Sequence, residues 1–202
     1  MEYIKHLSKD KALAAVIKKQ EPFVLKKRKN VFGHLCASIV SQQLSTKVAK
    51  VIHLRFLDLF GGHEPTPVQV LDMPVEKLRS IGLSNSKANY IHNISRFALE
   101  QGLDAKKLHK LENEALIEYL TQIKGVGRWT VEMQLMFTLA REDVFAIDDL
   151  GIQQAMIRIY KLKTADKKKR KEKMLKISSA WSPYRTYACL HLWHWKDTVK
   201  DH

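Results

Sequence analysis

Phe32, Leu35, Cys36, Ile39 and Val40 stand at positions i, i+3, i+4, i+7 and i+8, a stripe that a helix turns to one side and a strand would scatter over both faces. Val48, Val51, Ile52 and Leu59 carry the spacing onward. A buried central helix, or two in succession, is therefore the expectation. Ile152, Ala155, Met156 and Ile159 repeat the pattern, as do Trp181, Tyr184, Tyr187, Ala188, His191, Leu192 and Trp195. Strand-type alternation is hard to find, and Gly (8) and Pro (5) are scarce among 202 residues. Where the first pattern stops, Phe60-Gly61-Gly62-His63-Glu64-Pro65-Thr66-Pro67 predicts a loop. The predicted fold class is all-α.

A hydrophobic content of 45% suffices for one globular unit or for two small lobes that share a core. Cys36 and Cys189 alone cannot build a disulfide framework, nor a four-cysteine metal or iron–sulfur site. A reducing, intracellular setting is the default. Met1-Glu2-Tyr3-Ile4-Lys5 lacks an apolar signal region and no run approaches membrane-spanning length, so a soluble protein is expected. His191 and His194 have no third ligand at sensible spacing and read as core or surface residues.

The formal net charge of +14 favours a polyanionic partner, with nucleic acid leading, although a merely basic soluble surface carries the same charge. The stretch from Lys161 to Lys176, with Lys167-Lys168-Lys169-Arg170-Lys171 inside it, could meet phosphate but reads better as a solvated helix face or loop. No repeat, low-complexity segment or linker divides the chain, so any two lobes interleave.

Two segments carry chemistry. In Ile123-Lys124-Gly125-Val126-Gly127-Arg128-Trp129-Thr130, missing side chains would let backbone amides approach a phosphate at the start of the next helix. Taken alone, the same glycines serve any tight interhelical turn. About twenty residues on, Val144-Phe145-Ala146-Ile147-Asp148-Asp149 places two acids just before an amphipathic pattern. One can cap the helix and the other project from its first turn. The bland reading is a cap and nothing more. A carboxylate near a phosphate-binding turn repels DNA, however, unless it serves a reaction.

This arrangement resembles the helix-hairpin-helix DNA glycosylases, and within them the 3-methyladenine DNA glycosylase II branch. The resemblance rests on five ordered motifs: Phe32-x-x-Leu35 through Ile39-Val40-Ser41-Gln42-Gln43-Leu44-Ser45; Leu78-Arg79-x-x-Gly82-Leu83-Ser84-x-x-Lys87-Ala88; Gly125-Val126-Gly127-Arg128-Trp129-Thr130; Val144-Phe145-x-x-Asp148-Asp149; and Trp181-x-Pro183-Tyr184-Arg185-x-Tyr187-Ala188. It spans roughly residues 30 to 195.

The resemblance implies a two-lobed helical fold with an interlobe active-site cleft: a central lobe of about 30–120, a second lobe from the remainder including the hairpin at 121–131, and no N-terminal β-domain. It implies excision of alkylated purines of the 3-methyladenine and 7-methylguanine class from duplex DNA by base flipping. Asp149 is then the catalytic carboxylate and Asp148 a capping or orienting neighbour. Trp129, Trp181 and Met133 line the base pocket. Gln43 is the plug that fills the vacated stack, and Ser45, Gly125, Gly127, Arg128 and Thr130 contact DNA. Main-chain carbonyls of Thr121, Ile123 and Val126 hold a monovalent cation, Na+ or K+; no other cofactor is required. The protein is expected to act as a monomer with no obligate protein partner. Members that also cleave the strand use a lysine at the hairpin position taken here by Trp129, and an indole cannot form a Schiff base. Lys124, before the first hairpin glycine, is expected to serve phosphate or solvent. Two alternatives stay open: a glycosylase for another damaged base, and a helix-hairpin-helix DNA-binding module without catalysis.

Overall fold

The computed structural model describes residues 1–199, and among them it contains helices and turns but no strand. The helices are α1 (Glu2–Leu7), α2 (Lys11–Ile17), α3 (Val31–Ser41), α4 (Thr46–Asp58), α5 (Pro67–Asp72), α6 (Val75–Ser80), α7 (Asn85–Glu100), α8 (Ala105–Leu108), α9 (Asn113–Thr121), α10 (Arg128–Phe137), α11 (Leu150–Ile159), α12 (Lys167–Ser179) and α13 (Arg185–Thr198). None is long and apolar enough to cross a membrane. Contacts divide the chain into two compact units, Lys27–Leu139 and the pair Met1–Lys26 with Ala140 onward.

The first unit is built on α3, α7 and α10. Gln134 of α10 donates to the His34 carbonyl at 3.2 Å and to Ser38 Oγ at 2.9 Å, while the Thr138 carbonyl accepts the Arg28 N–H at 2.8 Å. At the other end Gln42 Nε2 reaches Thr130 Oγ1 at 3.2 Å. These contacts make α3 and α10 antiparallel, and Lys87 in the first turn of α7 reaches the last carbonyls of α3, which sets the start of α7 beside the end of α3. Leu35, Cys36, Ile39 and Val40 of α3 are buried, as are Ile91 and Ile94 of α7 and Val131, Leu135 and Met136 of α10, the helices that pack on it. Each large side chain so buried contributes about 1.5–3 kcal/mol.

Two expectations need correction here. The hairpin at 121–131 belongs to this unit and not to a lobe formed by the remainder, because α10, which it opens, is bonded along its length to α3. In α4, Val48 and Val51 remain exposed while Ile52 and Phe56 are buried, so the apolar stripe is narrower than its spacing predicts.

In the second unit Asp10 is the organising group. Its Oδ1 caps α2 by accepting from Ala12 and Leu13 N–H, and its Oδ2 accepts from Tyr160 Oη at 2.7 Å and Trp181 Nε1 at 3.0 Å. His191 is buried with Nδ1 2.8 Å from Gln20 Oε1, and burial pushes its pKa down to about 4. The ring is thus neutral at ordinary pH, a core histidine bonded through Nδ1 while its buried Nε2 has no hydrogen-bond partner. His194, three residues on, is exposed. Within the cation-rich stretch only Met174 is buried, which makes the run a solvated helix face.

Candidate active site

The hairpin follows from three backbone choices. Val126 N–H bonds the Ile123 carbonyl at 2.9 Å, Gly125 takes a left-handed φ of 103°, and Gly127 becomes the N-cap of α10. A Cβ on Gly125 would lie 2.1 Å from the Tyr90 ring, so only glycine fits. A Cβ on Gly127 would meet open space, and Gly127 supplies no side-chain cap. The N-terminus of α10 therefore has no cap from its own N-cap side chain, and its positive end suits an anion. Asn93 Nδ2 holds the Lys124 carbonyl at 3.2 Å, and the Lys124 residue itself is exposed.

At the same end of this unit, α3 stops at Gln42 and the chain turns through Gln43, which is exposed and left-handed at φ 59°. Ser45 caps α4 by accepting the Val48 N–H. Lys87 Nζ donates to the Val40 carbonyl at 2.9 Å and the Gln42 carbonyl at 2.7 Å, and burial lowers the pKa of its ammonium.

Asp149 sits in the second unit. A frame of side chains precedes it: Thr186 Oγ1 donates to the Arg141 carbonyl at 2.6 Å and accepts the Val144 N–H at 3.1 Å, and Tyr187 Oη donates to Glu142 at 2.9 Å. Arg185 binds Asp143 through Nε at 2.6 Å and Nη2 at 2.9 Å. Burial alone would raise the Asp143 carboxyl, but Arg185 and Ser182 hold it below its ordinary value. The motif around Trp181 to Ala188 thus anchors the segment that delivers Asp149. Asp149 N-caps α11, its Oδ1 accepting the Ile152 N–H at 2.8 Å and the Trp193 Nε1–H at 2.8 Å. A Cβ on Gly151 would crowd both Asp149 Oδ1 at 3.1 Å and Trp193 Cδ1 at 3.2 Å, so this glycine lets the indole reach the carboxylate. The carboxylate is half-buried, oriented by two donors, and set against the positive end of a helix.

Several predicted residues are relocated by these contacts. The cap of α11 is Asp149 itself; Asp148 is half-exposed and pairs with Lys171. Trp181 does not line a pocket, since its surface is wholly buried and its N–H is bonded to Asp10. Thr130 is buried and its hydroxyl accepts from Gln42, so its side chain faces inward. Arg128 opens α10 as expected, yet its guanidinium grips Glu114 through two nitrogens at 2.9 and 2.6 Å and Glu132 at 3.2 Å. Trp129 and Met133 are both half-buried and four apart, hence on one face of α10. The residue that sequence reading missed is Trp193. Its partner lies 44 residues away, and the only signal was a large aromatic standing off the buried stripe of α13.

A family model described as HhH-GPD superfamily base excision DNA repair protein matches residues 36–180. DNA-3-methyladenine glycosylase 1 of Schizosaccharomyces pombe is 37% identical over 91% of this chain and 80% of its own length. A putative DNA-3-methyladenine glycosylase of Bacillus subtilis is 32% identical over 93% of this chain and 66% of its own. Among solved structures, the S. pombe 3-methyladenine DNA glycosylase in complex with abasic DNA superposes with a TM-score of 0.84 at 34% identity, covering 96% of this chain and 95% of that one. The DNA-3-methyladenine glycosidase of Bacillus halodurans gives 0.83 at 36% identity, covering 98% and 90%. This chain belongs to the HhH-GPD superfamily of base excision DNA repair proteins.

Proposed function

We propose that this protein is a monofunctional DNA glycosylase that flips alkylated purines of the 3-methyladenine and 7-methylguanine class out of duplex DNA and hydrolyses their N-glycosidic bond. The observation that carries this reading is the Asp149 carboxylate, held by the Ile152 amide and the Trp193 indole. As the glycosidic bond breaks, the departing base takes the bonding pair and C1′ gains positive charge. A fixed carboxylate stabilises that charge and orients the water that adds to C1′, leaving an abasic site. An alkylated purine is already cationic and departs neutral, so no acid is needed at the base. The indole face of Trp129 favours such a cation, with Met133 beside it. Base release without strand cleavage is supported by Trp129 at the hairpin position where an attacking amine would be required.

DNA is held through the open amides after Gly127, with Gln43 entering the gap left by the flipped base. A monovalent cation, Na+ or K+, would be held by the carbonyls of Thr121, Ile123 and Val126. The fit is supported by the Ile123 carbonyl, which already closes the turn by accepting the Val126 N–H and retains a second lone pair. The ion would add positive charge where a phosphate docks. The protein acts as a monomer on this reading, with duplex DNA as its partner.

The test is an excision assay on duplexes carrying 3-methyladenine, 7-methylguanine or hypoxanthine, with and without alkali. Base release with strand breaks only after alkali is expected, and Asp149→Asn should reduce it by about 100-fold or more while binding persists, since asparagine also caps a helix. Strand cleavage without alkali would overturn the role given to Trp129. Tight binding without release from any of the three would favour a different lesion or a non-catalytic module.

A further inference from the structure

The carbonyls of Val40 and Gln42 end α3 and lack acceptable partners within their own helix. Lys87 takes both, at 2.9 and 2.7 Å, and adds a positive charge where the helix dipole favours one. Gln43 follows directly, held in a left-handed conformation that a side chain adopts only when its surroundings fix it. Three residues further along α7, the ring of Tyr90 occupies the space a Cβ on Gly125 would need, and three further again Asn93 donates to the Lys124 carbonyl at 3.2 Å. Lys87 thus holds one turn while Tyr90 and Asn93 hold the other. A direct tie closes the set, since Gln42 Nε2 reaches Thr130 Oγ1 at 3.2 Å.

We propose that one side of α7 sets the plug turn and the hairpin at a fixed spacing, so that gripping the backbone and extruding the base occur together, with Lys87 the positioning residue for Gln43. This rests on the reading of the protein as a base-flipping glycosylase. Loops that insert into nucleic acid are ordinarily the mobile parts of a structure. Here two of them share a single helix as their common support, and a helix transmits position along its axis with little give. A plug held this way stays aligned when the hairpin docks, so binding energy gained at the phosphate is available to offset the unstacking of the base. Gln42 works to the same end from the other side, linking the residue before the plug to the first turn of α10.

The experiment compares full-length wild type, Lys87→Met, Gln43→Ala and the double variant. The probe is a duplex carrying hypoxanthine beside 2-aminopurine, whose fluorescence rises when its stacking neighbour leaves. Lys87→Met keeps the aliphatic stem and loses both hydrogen bonds. It should bind undamaged duplex within about twofold of wild type while the extrusion signal falls about tenfold. Gln43→Ala should lower that signal by a similar factor, and adding Lys87→Met to it should change little, because both act through one plug. Effects that multiply in the double variant, or a Lys87→Met signal equal to wild type, would overturn the proposal. If Lys87→Met does not fold, Gln42→Ala carries the same cycle with Gln43→Ala and is read by the same rule. Wild type that extrudes the base without releasing it would sink the glycosylase reading alone, since fluorescence still reports on the plug. A chain that binds no DNA overturns both.

Discussion

Two turns in the first unit are built alike and end differently. Between α6 and α7 the chain passes through Gly82 at φ 106°, and between α9 and α10 through Gly125 at φ 103°. After the first turn Ser84 caps α7, its hydroxyl accepting the Lys87 N–H at 3.2 Å. After the second, Gly127 caps α10 with no side chain at all. The helix start that is closed by its own serine serves the fold. The one without a side-chain cap gives up the stability that such a cap contributes, about 1 kcal/mol, and on the proposed function its positive end meets a phosphate. The difference teaches where to look for function among repeated structural devices: at the copy that omits its own cap.

The two glycines should separate most strongly. Gly82→Ala imposes a left-handed alanine, costing about 1–2 kcal/mol, but its Cβ would meet Ile52 at an ordinary 3.5 Å. Gly125→Ala adds to the same strain a Cβ driven into the Tyr90 ring, for a further 1–3 kcal/mol or so. Thermal melts should show a loss of roughly 10 °C for Gly125→Ala and about half of that or less for Gly82→Ala. Equal losses would mean that Tyr90 yields freely and that the hairpin is not braced by α7.

Next in size is the exchange of the two helix starts. Gly127→Asp gives α10 the cap it lacks, in open space, so melting temperature should hold or rise. The new carboxylate lies where a phosphate is expected, and affinity for duplex DNA, read by fluorescence anisotropy at fixed salt, should fall by about tenfold or more. Ser84→Ala is the mirror case. It should lower stability by about 1 kcal/mol and leave DNA affinity within twofold. Undiminished binding by Gly127→Asp would remove the open amides from the DNA interface.

Such contrasts also explain what could be read from the chain alone. The helices α3, α11 and α13 were legible because a single buried stripe repeats at helical spacing, and the hairpin because glycine is needed where φ is positive. Asp149 was singled out through the resemblance, and the structure makes it, not Asp148, the cap of α11. The misread residues share a cause. A motif marks positions that cannot change, and it does not say whether they hold a ligand or hold the fold. Trp181 and Thr130 hold the fold, with Asp10 and Gln42 as their partners. Trp193, which touches the carboxylate, was invisible because nothing local ties residue 193 to residue 149.

Arg128 supplies the smallest and sharpest test, because it stands on the open turn yet is turned away from a purely external role. Glu114 takes two of its nitrogens, and this hydrogen bonding holds the Glu114 carboxyl below its ordinary value. The pair is solvent-exposed, with side-chain accessibilities of 48% and 68%, so its net worth to the fold is within about 1 kcal/mol. If the open helix start is the phosphate site, Glu114 competes with DNA for the guanidinium next to it. Glu114→Gln should then raise affinity for duplex DNA about two- to threefold at low salt and steepen the dependence of log K on log salt by up to about one ion. Melting temperature should scarcely move, since Glu132 still anchors Arg128 Nε at 3.2 Å. A variant that melts several degrees lower with unchanged DNA affinity would show instead that Arg128 braces α9 against α10, and that the open turn binds through its amides alone.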